Sequence, residues 1–221
     1  MVKWVIPSMV DVVKEAIKTI KRLTDNSRAV ARWYEQNPNQ IYLSNECSHL
    51  RNRKYIALSE VGDLVFAEQV RLETVKSWCK RVGIKTYKLG TTTSVKFDDV
   101  QRVVCSDLPN RFPFLSKELG LKYSDALFVV PVNLLHRERA THMATIEAVT
   151  TDSINSRLGT RSKHHTSSIF SEHEFTEPDG SPIKVTTHQF RHYLNTIAQQ
   201  GGLSQLDIAK WSGRKDIRQN E

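Results

Sequence analysis

Apolar positions near the end of the chain recur at the spacing of an amphipathic helix. The stripe consists of Leu194, Ile197 and Ala198. The glycines at 201–202 mark the end of this helix, since glycine disfavours a helix interior. Ahead of it, residues 183–187 have the composition of a short strand, and residues 178–180 that of a turn. The pattern predicts a helix that begins at about His188.

A second short helix is predicted directly after the two glycines. Ser204 and Asp207 have the spacing of a capping box, and the helix would end at Gly213. Its buried side is predicted to consist of Leu206, Ala209 and Trp211. The last forty residues therefore predict two short antiparallel helices joined by a glycine turn.

Towards the amino terminus the same periodicities predict further helices and strands. In chain order these are the tail of a strand at 2–7, a helix capped by Ser8 with Asp11 at its capping-box position, a helix at about 26–36, a strand at 126–131 and a capped helix at 151–159. Basic residues lie between the last two of these elements, among them His142, and we expect them on a solvated helix face.

Residues 55–104 form a pattern of their own after a polar, basic loop at 44–54. The predicted elements are a helix from Leu58, a basic helix at 72–81, a hairpin at 87–97 and a helix from Asp98. This order, two helices and then a hairpin, predicts a small unit that is inserted into the rest of the chain.

Composition narrows the class of protein. The net charge of +8 and a sequence pI near 9.4 favour a polyanionic partner. No apolar run approaches the roughly 18 residues of a membrane span. The three cysteines, Cys47, Cys79 and Cys105, are odd in number and widely separated, which favours reduced thiols in a cytoplasmic protein over a disulfide framework.

The chemistry of the predicted helix pair suits a phosphodiester. His188 and Arg191 lie three residues apart at the start of a helix and so share one face of its first turn. A guanidinium binds two phosphate oxygens and keeps its charge, while an imidazole exchanges a proton near neutral pH. Arg214, just after the second helix, could join them at the same anion.

These residues resemble the tyrosine recombinase (phage integrase) family. The family's second conserved box is H-x-x-R, often H-x-[LF]-R-H, and His188, Arg191 and the extra His192 match it. Its third conserved position is a His or Trp after a helix that ends in L-G, and here Arg214 stands at that place. The resemblance covers residues 183–215 and departs from the family at Arg214, where a surface arginine is the alternative.

The resemblance implies a fold and a division into domains. The fold class is mainly α with small β elements, a DNA breaking-rejoining catalytic core interrupted by a winged helix-turn-helix-like insert. Residues 1–43 would begin the catalytic core, residues 44–122 would hold the insert, with its helix-turn-helix-like unit at about 55–104, and residues 123–221 would complete the core. Lys3 is the one candidate for the family's hairpin lysine, and a solvated strand lysine is the alternative reading of it.

The resemblance also implies a mechanism. A tyrosine attacks a DNA phosphate, which leaves a 3′-phosphotyrosyl bond and a free 5′-hydroxyl, without metal or cofactor. The family's first arginine and hairpin lysine would lie upstream, and its tyrosine just past Glu221. We therefore expect a piece of a longer integrase, bacterial or phage-encoded, that is inactive alone. Its partner would be double-stranded DNA, on which the family assembles as a tetramer, and no membrane is involved.

The insert resembles the winged helix-turn-helix of excisionases and MerR-like regulators, although the link at 66–71 is longer than that family's tight turn. The residues that could meet a DNA groove are Thr74, Lys76, Ser77, Lys80 and Arg81. Arg161 and Lys163, in a basic loop before the conserved box, are candidates for backbone-phosphate contacts.

Three further alternatives remain open at this stage. The insert could be a packing module whose lysines are merely solvated, and the loop at 161–165 could be only a flexible connection. The whole chain could also be a DNA-binding regulator that uses the insert while its recombinase-like part is a structural relic. Cys47 and His49 do not indicate a zinc site, because no second pair of residues stands at ligand spacing.

Overall fold

The computed structural model divides the chain into two compact units, and most of its regular structure is helical with short strands. The residues that the structure describes are 9–136, 138–159 and 168–212, without the side chain of Trp211. One unit comprises residues 1–19 and 150–221, and the other residues 20–149. At this coarse level the predicted class, mainly α with small β elements, is confirmed.

Helix α1 (Val10–Leu23) begins in the first unit and ends in the second. The helices of the 20–149 unit are α2 (Asp25–Gln36), a 3₁₀ turn (Ser48–Leu50), α3 (Leu58–Val65), α4 (Leu72–Arg81) and α5 (Phe97–Ser106). Its strands are β1 (Tyr55–Ala57), β2 (Thr86–Leu89), β3 (Thr92–Lys96), β4 (Phe114–Ser116), β5 (Leu121–Lys122), β6 (Val129–Val132) and β7 (His142–Ala148).

Between β1 and α5 the elements follow the order that the sequence predicts for the insert. The three strands form an antiparallel sheet in the order β1-β3-β2, and the two-residue loop at 90–91 closes the hairpin, with Gly90 at φ 62°. Ile56 pairs with Val95, and both are fully buried against the helices. The predicted longer link between α3 and α4 is confirmed at residues 66–71.

A second core in the same unit joins parts of the chain that are distant in sequence. Val30, Ala31 and Tyr34 of α2 pack with four residues from further along the chain: Tyr123, Ala126, Val129 and Ile146. The Tyr34 hydroxyl donates a hydrogen bond to the Ala144 carbonyl at 2.7 Å and accepts one from the Tyr42 amide at 3.2 Å. Because the phenol is buried, its pKa is raised above the usual value. This tyrosine therefore links α2 to β7 as a neutral hydrogen-bonding group.

The unit of residues 1–19 and 150–221 contains four described helices after α1: α6 (Thr151–Arg157), α7 (Ile169–Glu172), α8 (Thr187–Gln200) and α9 (Gln205–Ser212). Gly159 follows α6 at φ 94°, and a Cβ built there would lie 2.5 Å from the Ile183 carbonyl oxygen. The Val185 amide donates to the Leu158 carbonyl at 3.0 Å. Glycine is therefore required where these two backbone segments cross.

Several local predictions are wrong. The strand expected at 183–187 is absent: residues 183–186 pair with no strand in the described part of the chain, and the Val185 amide instead donates to the Leu158 carbonyl after α6. His142 lies in strand β7, where β-branched Thr145 and Ile146 favour extended structure over the helix we expected. The predicted helix α1 is present, and none of its residues is buried.

Other local predictions are confirmed or lie outside the described residues. The turn at 178–180 is present, and the Gly180 amide donates to the Glu177 carbonyl at 2.9 Å. The strand tail at 2–7, with Lys3, and the cap Ser8 lie outside the described residues. Within the described residues, no helix combines the length and the apolar character that crossing a membrane requires.

Candidate functional site

Two hydrogen-bonded caps fix the start of α8. The Thr186 hydroxyl accepts a bond from the Gln189 amide at 3.0 Å, and the Gln189 side chain accepts one from the Thr186 amide at 2.8 Å. The Thr187 amide donates to the Asn155 side chain of α6 at 2.9 Å. Three backbone N–H groups at this end of α8 therefore have partners, and the first turn of the helix is held in one place.

His188 and Arg191 both lie exposed in this first part of α8, as the sequence predicts. His192, one turn after His188, places its Nε2 atom 2.8 Å from the Nε2 atom of His188, with the two rings nearly perpendicular. One ring nitrogen then donates to the other. Among the described residues, no side chain pairs with the Arg191 guanidinium, which is available to an anion.

The rest of the predicted phosphate site falls outside the described residues. This applies to Arg214, Arg161 and Lys163 alike. The structure thus brings together His188, Arg191 and His192, and the part of the other three stays a prediction.

The apolar sides predicted for the helix pair are only partly right. Ala198 and Ala209 are buried, but Leu194 and Ile197 are exposed by 42% and 46%, and Leu206 is exposed as well. Tyr193, on the same helix, is 65% exposed. The buried positions are taken instead by Asn195, next to the stripe, and Ile208. The face that packs is therefore rotated from the one that hydrophobicity indicates.

Helix α4 has one buried and one polar face. Val75, Trp78 and Cys79 lie in the core of the insert. All five residues predicted to meet a groove are exposed: Thr74, Lys76, Ser77, Lys80 and Arg81. Lys76 lies 3.9 Å from Glu73, a solvent-exposed pair that contributes little to stability. The position of these residues is confirmed, and their contact with DNA stays a prediction.

Two buried groups near α4 have altered proton affinities. Burial lowers the pKa of His142, which packs edge-on against Phe66 and Trp78 with ring centres 5.0 and 6.4 Å away. Burial raises the pKa of the Cys79 thiol to about 11. A thiol with so high a pKa is a poor nucleophile at neutral pH. These two groups therefore serve packing.

Sequence reasoning missed two features of the site. Asn155 holds the first turn of α8 from another helix, a contact that only the tertiary structure reveals. The capping box of α8 does have a sequence signal, Thr186 followed three residues later by Gln189. Within the described parts of the chain, no three His, Cys, Asp or Glu side chains gather as metal ligands.

Comparison with known proteins yields no relative. No protein-family model, no curated protein and no solved structure matches this chain.

Proposed function

We propose that this chain takes part in site-specific DNA recombination and supplies phosphate-binding and proton-transfer groups of a tyrosine-recombinase-type active site. The observation that carries the proposal is the pair His188 and Arg191, exposed side by side at the capped start of α8. A helix start also presents positive potential to an anion. The residue resemblance at 183–215 supports the same assignment.

In the proposed reaction a tyrosine hydroxyl attacks the phosphorus atom of a DNA phosphodiester. The P–O5′ bond breaks, a 3′-phosphotyrosyl bond forms, and the 5′-oxygen leaves as a hydroxyl. The Arg191 guanidinium donates to the phosphate oxygens as negative charge develops, and loss of one such donor typically slows a reaction about 10²- to 10³-fold. His188 exchanges the proton, a role that typically contributes about 10²- to 10⁴-fold. Arg214 is the third group proposed to contact the phosphate.

None of the tyrosines in this sequence stands where the resemblance expects the attacking tyrosine, after Arg214. The last tyrosine of the sequence is Tyr193, which precedes Arg214. The test therefore uses the gene product together with any residues that its reading frame encodes on either side of these 221. It would be incubated with nicked suicide substrates made from the flanking genomic DNA, and covalent adducts would be separated on a denaturing gel.

The decisive comparison is between two arginines. The proposal is supported if Arg191→Ala abolishes the adduct, or slows its formation by at least about 10²-fold, while Arg111→Ala leaves its formation unchanged. Arg111 is an exposed arginine outside the candidate site and serves as the matched control. Equal adduct formation in the wild type and Arg191→Ala would refute the role of Arg191.

A second candidate function is DNA binding without cleavage, as in a regulator. The exposed polar face of α4, opposite its buried face, favours it. If no adduct forms, but duplex binding weakens with salt and is lost when Lys76, Lys80 and Arg81 are neutralised, this second function is supported. Binding that survives neutralisation of these residues would exclude α4 as the DNA contact.

A further inference from the structure

One face of the sheet β1-β3-β2 carries two tyrosines flanked by lysines, and we term it the Tyr–Lys face. Its members are Lys54, Tyr55, Lys85, Tyr87 and Lys96. Side chains alternate between the two faces of a sheet. Since Ile56 and Val95 are fully buried against the helices, Tyr55 and its cross-strand partner Lys96 lie on the opposite, outer face.

The aromatic and charged groups of this face form one cluster. The ring centres of Tyr55 and Tyr87 lie 5.4 Å apart, edge to face. The Lys54 Nζ atom lies 5.9 Å from the Tyr55 ring centre, and the Nζ atoms of Lys85 and Lys96 lie 5.5 and 5.8 Å from that of Tyr87. Three ammonium groups thus surround two half-buried rings.

The positive charge of this cluster has no negative partner within the described part of the chain. Lys18, Lys76 and Lys122 each lie within 4.0 Å of a glutamate, whereas Lys54, Lys85 and Lys96 lie that close to no carboxylate there. The contacts of these three lysines are with tyrosine rings. An anionic partner could therefore approach this face without first displacing an acidic side chain.

The combination of rings and charge distinguishes among anions. An exposed lysine over a ring gains only about two- to fivefold in an equilibrium constant. A nucleobase stacked on an aromatic side chain gains about 5- to 150-fold. A base can therefore replace the ammonium on a tyrosine ring, while the lysine moves to the phosphate. Bases in a duplex are already stacked on one another, so only unpaired bases can use these rings.

We propose that the Tyr–Lys face binds single-stranded nucleic acid, with bases stacked on Tyr55 and Tyr87 and phosphates bound by the three lysines. The site is separate from α4, because Val75 of α4 lies in the same core as Ile56 and Val95, behind the sheet. The proposal is independent of the recombination chemistry and can stand or fall alone.

The test measures binding of the whole 221-residue chain by fluorescence anisotropy. The three probes are a labelled oligothymidylate, an abasic deoxyribose-phosphate oligomer of the same length and a duplex of that length. We expect the oligothymidylate to bind more tightly than the abasic oligomer, which carries the same charge without bases. Equal affinity for the two would overturn the proposal and leave a purely electrostatic surface.

Variants separate stacking from charge. Tyr55→Leu and Tyr87→Leu should each weaken oligothymidylate binding about 5- to 150-fold and leave the abasic oligomer unaffected. Tyr55→Phe and Tyr87→Phe should bind like the wild type, because the ring remains. Tyr193→Leu, at an exposed tyrosine on α8, is the matched control and should change nothing. An equal loss in Tyr193→Leu, or no loss in the two sheet variants, would contradict stacking at this face.

The lysines are tested by salt dependence. Neutralising Lys54, Lys85 and Lys96 together to Gln should reduce the slope of log K against log salt by about 2, since each phosphate contact on a single strand contributes about 0.7. The control neutralises three exposed lysines elsewhere: Lys14, Lys117 and Lys210. An equal drop of this slope in the control variant would overturn the proposal. So would a duplex that binds more tightly than the oligothymidylate with an affinity that the Tyr–Lys face variants leave unchanged.

Discussion

At the scale of single residues, His142 shows how burial sets the chemistry of a side chain. Its imidazole packs edge-on against Phe66 and Trp78, and desolvation lowers its pKa. The charge of Asp107 opposes this shift and that of Arg81 adds to it, but burial is the largest cause. The folded protein therefore holds a neutral histidine that the unfolded chain would protonate more readily.

This difference predicts a pH dependence of stability. The contribution of His142 should be fully present above about pH 6.5, the ordinary pKa of histidine, and should be lost as the pH falls through the lower pKa of the folded state. The free energy of unfolding, measured in urea between pH 7.5 and about 5, should fall less steeply in His142→Phe than in the wild type.

Phenylalanine keeps an aromatic ring against Phe66 and Trp78 and removes the titrating group, so the slope with pH is the informative quantity. His173→Gln is the matched control at an exposed histidine and should retain the wild-type slope. Identical slopes in His142→Phe and the wild type would show that His142 is protonated equally in both states.

At the scale of elements, a substitution at Gly159 tests whether the two backbone segments that cross after α6 need a glycine there. Gly159→Ala would adopt a left-handed conformation and also place a methyl group against the Ile183 carbonyl. Gly180→Ala meets nothing within 4 Å and incurs only the conformational cost of about 1–2 kcal/mol. We expect the free energy of unfolding in urea to fall further for Gly159→Ala. Equal losses in the free energy of unfolding would mean that the two backbone segments move apart at no cost to accept the methyl group.

Elements with local signals were predictable from sequence. The bounds of α4 match the predicted 72–81, and α8 and α9 lie where glycines and caps indicate. Elements that depend on partners distant in sequence were not predictable in this way. Residues 183–186 form no strand, and Val185 bonds to Leu158 instead. In α8 the polar Asn195 is buried along with Ala198, and its side-chain amide finds no hydrogen-bond partner within the described residues. Neither fact has a signature in the neighbouring sequence.

At the scale of the whole chain, both hydrophobic cores found among the described residues lie within residues 20–149. Each core combines residues that are distant in sequence, such as Tyr34 with Ile146. We therefore predict that residues 20–149, expressed alone, unfold cooperatively in urea, as followed by the fluorescence of Trp33 and Trp78. A gradual, non-cooperative change would show that this unit needs residues from outside it.

The order of two helices and a hairpin in residues 55–104 was visible in sequence, and its relation to the hydrophobic cores was not. The sequence predicts an insert between two parts of a catalytic core. The structure adds that α2, which precedes residues 55–104, packs against Tyr123, Ala126, Val129 and Ile146, which follow them. Contacts between residues about a hundred positions apart depend on the whole chain, so no local pattern predicts them.

Strand β7 contributes residues to both hydrophobic cores of its unit and so links the insert to the rest of that unit. Its Ala144 belongs to the core of the insert and its Ile146 to the other core, and the Ala67 amide beside α3 donates to the Thr141 carbonyl at 2.9 Å. A displacement of α4 would therefore reach β7 through the core that Val75 and Trp78 share with Ala144. Removal of residues 55–104 would expose Ala144 and break the bond from Ala67 to Thr141, so the rest of the unit depends on this segment for part of its packing.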